Sequence, residues 1–199
     1  MSIKKTLTIS FAAVASAPLL LGTAAVIWNL RGQAQADFQE NTTREIRQVD
    51  NVISLFFNGI DRDVAYLAGH PQVMSSHSLK NYSSGDAAQL PLTENTKTLQ
   101  AIFARYASTH PDTAYLSLGL QDGGYAIWPD DKNLNSFDPR QRPWYALGMG
   151  VPGQTQRSEA YYWAPDDVAL VATVRTVDDP QGKPIGVLGL YVSLSNSPT

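Results

Sequence analysis

The first uninterrupted apolar stretch runs from residue 6 to residue 30, TLTISFAAVASAPLLLGTAAVIWNL, and holds no charged side chain. As a helix it would extend about 37 Å at about 1.5 Å per residue, enough to cross a bilayer core of about 30 Å. Lys4 and Lys5 precede it and Arg31 follows, a placement that favours an N-terminus left in the cytoplasm. The pattern predicts a cytoplasmic tip over residues 1–5 and a single transmembrane anchor over 6–31. A cleaved secretory signal is the competing reading, with Ala15-Ser16-Ala17 and Ala34-Gln35-Ala36 as small-residue sites. The apolar run is too long for the core of such a signal and continues past the first of these sites. Either reading puts residues from about 37 onward outside the cytoplasmic membrane, and the anchor reading puts 32–199 there.

From residue 35 the spacing becomes helical and one-sided. Ile46, Val49, Val52, Ile53, Phe56, Phe57, Ile60, Val64 and Leu67 recur mostly every three or four residues, while Arg44, Glu45, Arg47, Asp50, Asp61 and Arg62 take the other side. This predicts one long amphipathic helix over 35–70 with a single buried stripe, stopped by Gly69-His70-Pro71. Residues 75–90 are rich in Ser, Asn, Gly and Asp and read as a loop or a short irregular helix. A second helix is predicted over 93–109, with Thr93 and Glu94 in its first turn and Leu99, Ile102, Phe103 and Tyr106 on its apolar side.

The period changes to two at residue 113. Leu116, Leu118 and Leu120 alternate with Tyr115, Ser117 and Gly119, and Gln121-Asp122-Gly123-Gly124 is a hairpin signal before the strand Tyr125 to Trp128. A proline-rich segment over 129–143 predicts a structured loop, followed by one or two helical turns over 143–149. Strands are expected at 157–164, 168–177 and 184–194, separated by turns at Pro165-Asp166-Asp167 and Asp178 to Gly182. The sum is α+β: an N-terminal transmembrane helix, a long amphipathic helix, then an antiparallel sheet of about five to six strands over 113–195.

Composition narrows the chemistry. The 199 residues carry no cysteine and a formal charge of −3, which excludes a disulfide framework, a thiolate metal site and a cysteine nucleophile. A basic nucleic-acid footprint is lacking. Asp131-Lys132-Asn133-Leu134-Asn135 opens like a calcium loop, but Ser136 and Arg142 stand where glycine and glutamate are needed. His70, His77 and His110 are not spaced as metal ligands, and no phosphate loop, dinucleotide fingerprint or nucleophile elbow occurs. No metal, cofactor or enzymatic activity is expected. The paired acids Asp166, Asp167, Asp178 and Asp179 read as solvated turn residues.

One segment stands apart. Phe137-Asp138-Pro139-Arg140-Gln141-Arg142-Pro143-Trp144-Tyr145 packs two arginines, three aromatics and two prolines into nine residues. Arg142 could pair with a carboxylate in bidentate fashion, and Trp144 and Tyr145 could wall a pocket for a small anionic or planar ligand. The alternative is a loop tied down by Arg–Asp pairing, with Trp144 in the core.

Taken with the N-terminal span, the long helix, Asp122-Gly123-Gly124, Ser158-Glu159-Ala160-Tyr161 and the strand Gly186 to Leu190, this segment resembles the extracellular Cache sensor domain. That PAS-like ligand-binding module occurs in bacterial chemoreceptors, sensor histidine kinases and cyclic-dinucleotide enzymes. The resemblance covers roughly residues 35–195. It implies an extracytoplasmic small-molecule sensor, most like that of a methyl-accepting chemotaxis receptor, working as a homodimer through helix 35–70. The same architecture would fit a histidine kinase or a diguanylate cyclase, and this chain is expected to lack an output region.

The double-Cache amino-acid motif, carried onto this chain, makes Arg142, Trp144, Tyr145 and Tyr161 ligand contacts, with Phe137 where Tyr is usual and Tyr191 where an amine-binding Asp is usual. A tyrosine carries no charge at neutral pH to match an ammonium. The ligand implied is a carboxylate without the amine, a planar heterocycle, or an amine held in another geometry. Two rivals remain at this point: an anchored hydrolase using Asp130, Asp131 and Asp138, and a structural remnant that binds nothing.

Overall fold

The computed structural model of the chain describes residues 3–83, 91–131, 134–163 and 166–194, without the side chains of much of 3–42. By contact the chain divides into two compact units, Met1–Leu55 and Phe56–Thr199.

The first unit is helix. Helix α1 runs Ile3–Ala68, so the predicted anchor and the predicted long helix form one continuous element. The anchor's side chains lie largely outside the described residues. Among the described residues no helix is long and apolar enough to cross a membrane.

The single buried stripe expected along 46–67 needs correction. Only Ile60, Val64, Leu67 and Ala68 are buried; Ile46, Val49, Val52 and Ile53 are exposed, and so is Phe56. The sequence period is continuous, but among the described residues of this stretch burial begins at Ile60. Pattern reports an apolar face and not what covers it.

Gly69 ends α1, and the His70 imidazole caps the short helix α2 (Pro71–Met74) by accepting from the Gln72 amide. The loop beyond it bridges Asn81 to Gly124. Residues 84–90 are outside the described set. Helix α3 (Glu94–Ala107) starts where expected, with the Thr93 hydroxyl accepting from the Thr96 amide and Leu99, Phe103 and Ala107 buried.

Six antiparallel strands follow: β1 (Thr113–Leu120), β2 (Tyr125–Trp128), β3 (Gln156–Arg157), β4 (Tyr161–Trp163), β5 (Val168–Asp178) and β6 (Pro184–Ser193). The expected strand 157–164 is two short strands that pair with different stretches of β5. The sheet order is β2-β1-β6-β5-β3, with β4 also on β5. Helix α4 (Pro143–Gly150) matches the expected turns after the proline-rich loop.

Alternation along each strand sorts the sheet into two faces. Leu116, Leu118, Leu120, Val171, Val177, Leu188, Leu190 and Val192 form one core with the end of α1 and with α3. Each fully buried aliphatic side chain contributes roughly 1.5–3 kcal/mol. The opposite face carries the aromatic residues and is covered by the 134–142 loop and α4.

Candidate functional site

Register assembles the aromatic face. Tyr115 of β1 sits opposite Tyr191 of β6, Ser117 opposite Gly189, and Gly119 opposite Val187 on one side and Tyr125 on the other. In β5, Ala172 pairs with Tyr191 and Val174 with Gly189. The two glycines leave room that other side chains fill. A Cβ on Gly119 would lie 2.7 Å from Pro139 and 3.0 Å from Trp144, and one on Gly189 would lie 3.1 Å from the Tyr191 ring. Trp144 therefore rests on Gly119, and Tyr191 folds back over Gly189 until its hydroxyl comes 3.3 Å from the Ser117 hydroxyl.

The rings form a connected set. Tyr191 meets Tyr115 and Trp144 edge-on at 6.3 and 6.5 Å, Trp144 meets Tyr145 at 5.8 Å and Tyr125 at 6.3 Å, and Tyr125 lies 4.7 Å from Phe137. Tyr82 and Trp163 extend the set at its two ends. Burial first, then nearby tyrosines, raises the Tyr191 phenol well above its ordinary value. Burial likewise raises Tyr125, Tyr145 and Tyr161. Tyr82 is pushed up to about 12 by burial and then by Asp130 and Asp131. Every phenol here is neutral at physiological pH and can donate a proton in a hydrogen bond.

The two arginines of the loop do different work. Arg140 is consumed locally. Its Nε and Nη2 donate to both oxygens of Asp138 at 2.9 and 2.8 Å, and its Nη1 to the Gln121 carbonyl at 3.3 Å. That fork braces the loop on the β1–β2 hairpin, whose turn uses Gly123 at φ +89°, a backbone conformation that favours glycine. The hydrogen bonds from Arg140 hold the Asp138 carboxyl below its ordinary value, so this acid is a brace.

Arg142 is exposed, lies over the Phe137 ring at 4.5 Å, and forms no ion pair among the described residues. Tyr145, in the first turn of α4, is 7% exposed and its hydroxyl has no hydrogen-bond partner among the described residues.

Five of the six expected contact residues thus gather here: Phe137, Arg142, Trp144, Tyr145 and Tyr191. Tyr161 is on the same face, paired with Leu170 in the edge strand β4, but it is 36% exposed and makes no described ring contact with the set. Sequence reasoning missed Tyr82 and Tyr125. Tyr125 was findable, because the hairpin register places it opposite Gly119; Tyr82 sits in a loop that carries no period. Among the described residues no group of His, Asp and Glu side chains is arranged to hold a metal ion.

No family profile matches the chain. It is 24% identical over 181 residues to the methyl-accepting chemotaxis protein McpB of Bacillus subtilis, covering 91% of this chain and 25% of McpB. It is 38% identical over 77 residues to the methyl-accepting chemotaxis protein PctB of Pseudomonas aeruginosa, covering 39% of this chain and 12% of PctB. The chain thus spans a quarter or less of the curated relatives it matches. Among solved structures, the ligand-binding domain of the P. aeruginosa amino-acid chemoreceptor PctC, in complex with GABA, superposes with a TM-score of 0.51 at 20% identity. That match covers 73% of this chain and 56% of the PctC domain. The fold is that of a chemoreceptor ligand-binding domain, in agreement with the resemblance to a Cache sensor module.

Proposed function

We propose that this chain is the extracytoplasmic small-molecule-sensing part of a membrane-bound chemotaxis receptor, anchored by residues 6–31 and exposing residues 32–199. The observation that carries the reading is the contrast within one loop. Arg140 is spent on Asp138, whereas Arg142 lies over the Phe137 ring at the rim of the aromatic set with no acidic partner among the described residues. A carboxylate-bearing ligand would form a bidentate pair with that guanidinium. Trp144, Phe137, Tyr125 and Tyr191 would enclose its apolar or planar part, with Tyr161 at the open edge of the sheet. The chemotaxis proteins similar to this chain support the receptor assignment, and the PctC domain supports its fold. Receptors of this kind bias a bistable helix rather than transform their ligand.

The test is a thermal-shift panel of organic acids, amino acids, amines and purines on the full chain in detergent. A carboxylate at about 100 times its Kd stabilises by about 2.7 kcal/mol, which is roughly 5–10 °C for a chain of this size. Arg142→Ala should abolish that shift and leave the unliganded Tm within about 2 °C. An unchanged response in Arg142→Ala overturns the site. A panel in which only compounds without a carboxylate act overturns the ligand class.

A further inference from the structure

Arg157 joins the edge of the sheet to α1. Its Nη2 donates to the Asp61 carboxylate at 2.5 Å and to the Phe57 carbonyl at 3.3 Å, and its guanidinium lies 4.2 Å over the Phe57 ring. Phe57 and Asp61 are one helical turn apart, so a single side chain grips one turn of α1.

The next residue is tied to β5. Ser158 donates its amide to the Ala172 carbonyl at 2.8 Å, and its hydroxyl accepts from the Ala172 amide at 3.0 Å. Ala172 is the β5 partner of Tyr191 and is buried with it and Tyr145. Arg157 and Ser158 are consecutive at the sheet edge. One reaches the helix, and the other closes the strand beside the aromatic floor. A displacement that opens the Ser158–Ala172 pair must carry Arg157 with it.

Strand β3 suits this role because it is weakly held. It is two residues long, lies at the sheet edge and has only Gln156↔Val174 and Arg157↔Thr173 as ladder partners. Short, exposed edge elements open at far lower cost than the central strands. The other described polar ties of α1's docked turns run from Asp63 to Tyr106 at 2.9 Å and to His110 at 3.8 Å, on the side of α3. Those ties belong to the helical layer and do not reach the aromatic face.

We infer that β3 is a coupling latch, in which Arg157 transmits movement at the Ser158–Ala172 edge of the aromatic face to the Phe57–Asp61 turn of α1. The latch goes beyond the sensing role proposed above and is testable without a ligand.

Amide hydrogen exchange on the full chain, read in the 57–64 turn of α1 and in β6, measures it directly. Ser158→Ala should speed exchange in the 57–64 turn by about threefold or more while β6 is unchanged, and Arg157→Gln should do the same. The double variant should match Arg157→Gln alone within about twofold, because the Ser158 effect travels through Arg157. Additive effects in the double variant overturn the latch, as does a silent Ser158→Ala. Equal acceleration in α1 and β6 also overturns it, since that is what general loss of stability produces. The ligand assignment stands or falls separately, on Arg142→Ala.

Discussion

Tyr191 and Gly189 show how one residue sets the character of the aromatic face. The Tyr191 ring lies over a glycine two positions back, and its hydroxyl meets Ser117 on the neighbouring strand. A carboxylate at this position would stand in the same buried, neutral surroundings and demand a cation; the phenol asks only for a hydrogen bond. Thr173 is the converse case. It is fully buried on the helix-facing side of β5, directly opposite Arg157, and its hydroxyl has no partner among the described residues. A buried hydroxyl left unmet costs about 1–3 kcal/mol. Thr173→Val keeps the shape and removes the unmet group, so it should leave stability unchanged or raise Tm by roughly 2–4 °C. A calorimetric loss above about 1 kcal/mol would show that the hydroxyl is in fact bonded.

At the scale of elements, the 134–142 loop is held by a brace as well as by the packing of Leu134 and Phe137 on Tyr82 and Tyr125. Asp138 caps the 3-10 turn Pro139–Gln141 through the Arg140 amide and grips the Arg140 side chain with both oxygens. Its carboxyl is held below the ordinary aspartate value, chiefly by those Arg140 hydrogen bonds. A depressed folded-state value stabilises above the unfolded value of about 3.9 and is lost as pH falls through the lower folded value. Asp138→Asn should therefore lower Tm at neutral pH, with the gap to the parent chain closing below about pH 4. A gap that stays constant with pH, followed by circular dichroism melts, would assign the loss to something other than the ionised carboxylate. Helix α4 depends on a different contact. A Cβ on Gly148 would lie within clashing distance of Val187, so only glycine lets the helix lie flat on β6 at this point.

At the scale of the whole molecule, α1 keeps an exposed apolar face. Ile46, Val49, Ile53 and Phe56 are 63, 59, 49 and 39% exposed, and their spacings of three, four and three are those of a coiled-coil seam. The homodimer expected through helix 35–70 would bury this face. Val49→Glu with Ile53→Glu should convert a dimer to a monomer in sedimentation of the detergent-solubilised chain, while the melt of the sheet unit is unchanged. A parent chain already monomeric at high concentration would remove the dimer from the reading.

The sequence alone determined the α+β layout, the stop of the long helix near Gly69, the start of the second helix at Thr93 and the hairpin at Gly123, and it singled out Phe137 to Tyr145 as the candidate segment. These features are local, because period, caps and turn residues act over a few positions. It did not determine which of two neighbouring arginines is free, since that depends on Asp138 turning its carboxylate to Arg140 and not to Arg142. Nor did it reveal that Tyr82 and Tyr125 complete the aromatic set, or that Arg157 reaches α1 a hundred residues back in the chain. Those facts follow from strand register and from the docking of a helix on a sheet. Both are long-range, and they exist only once the chain has closed on itself.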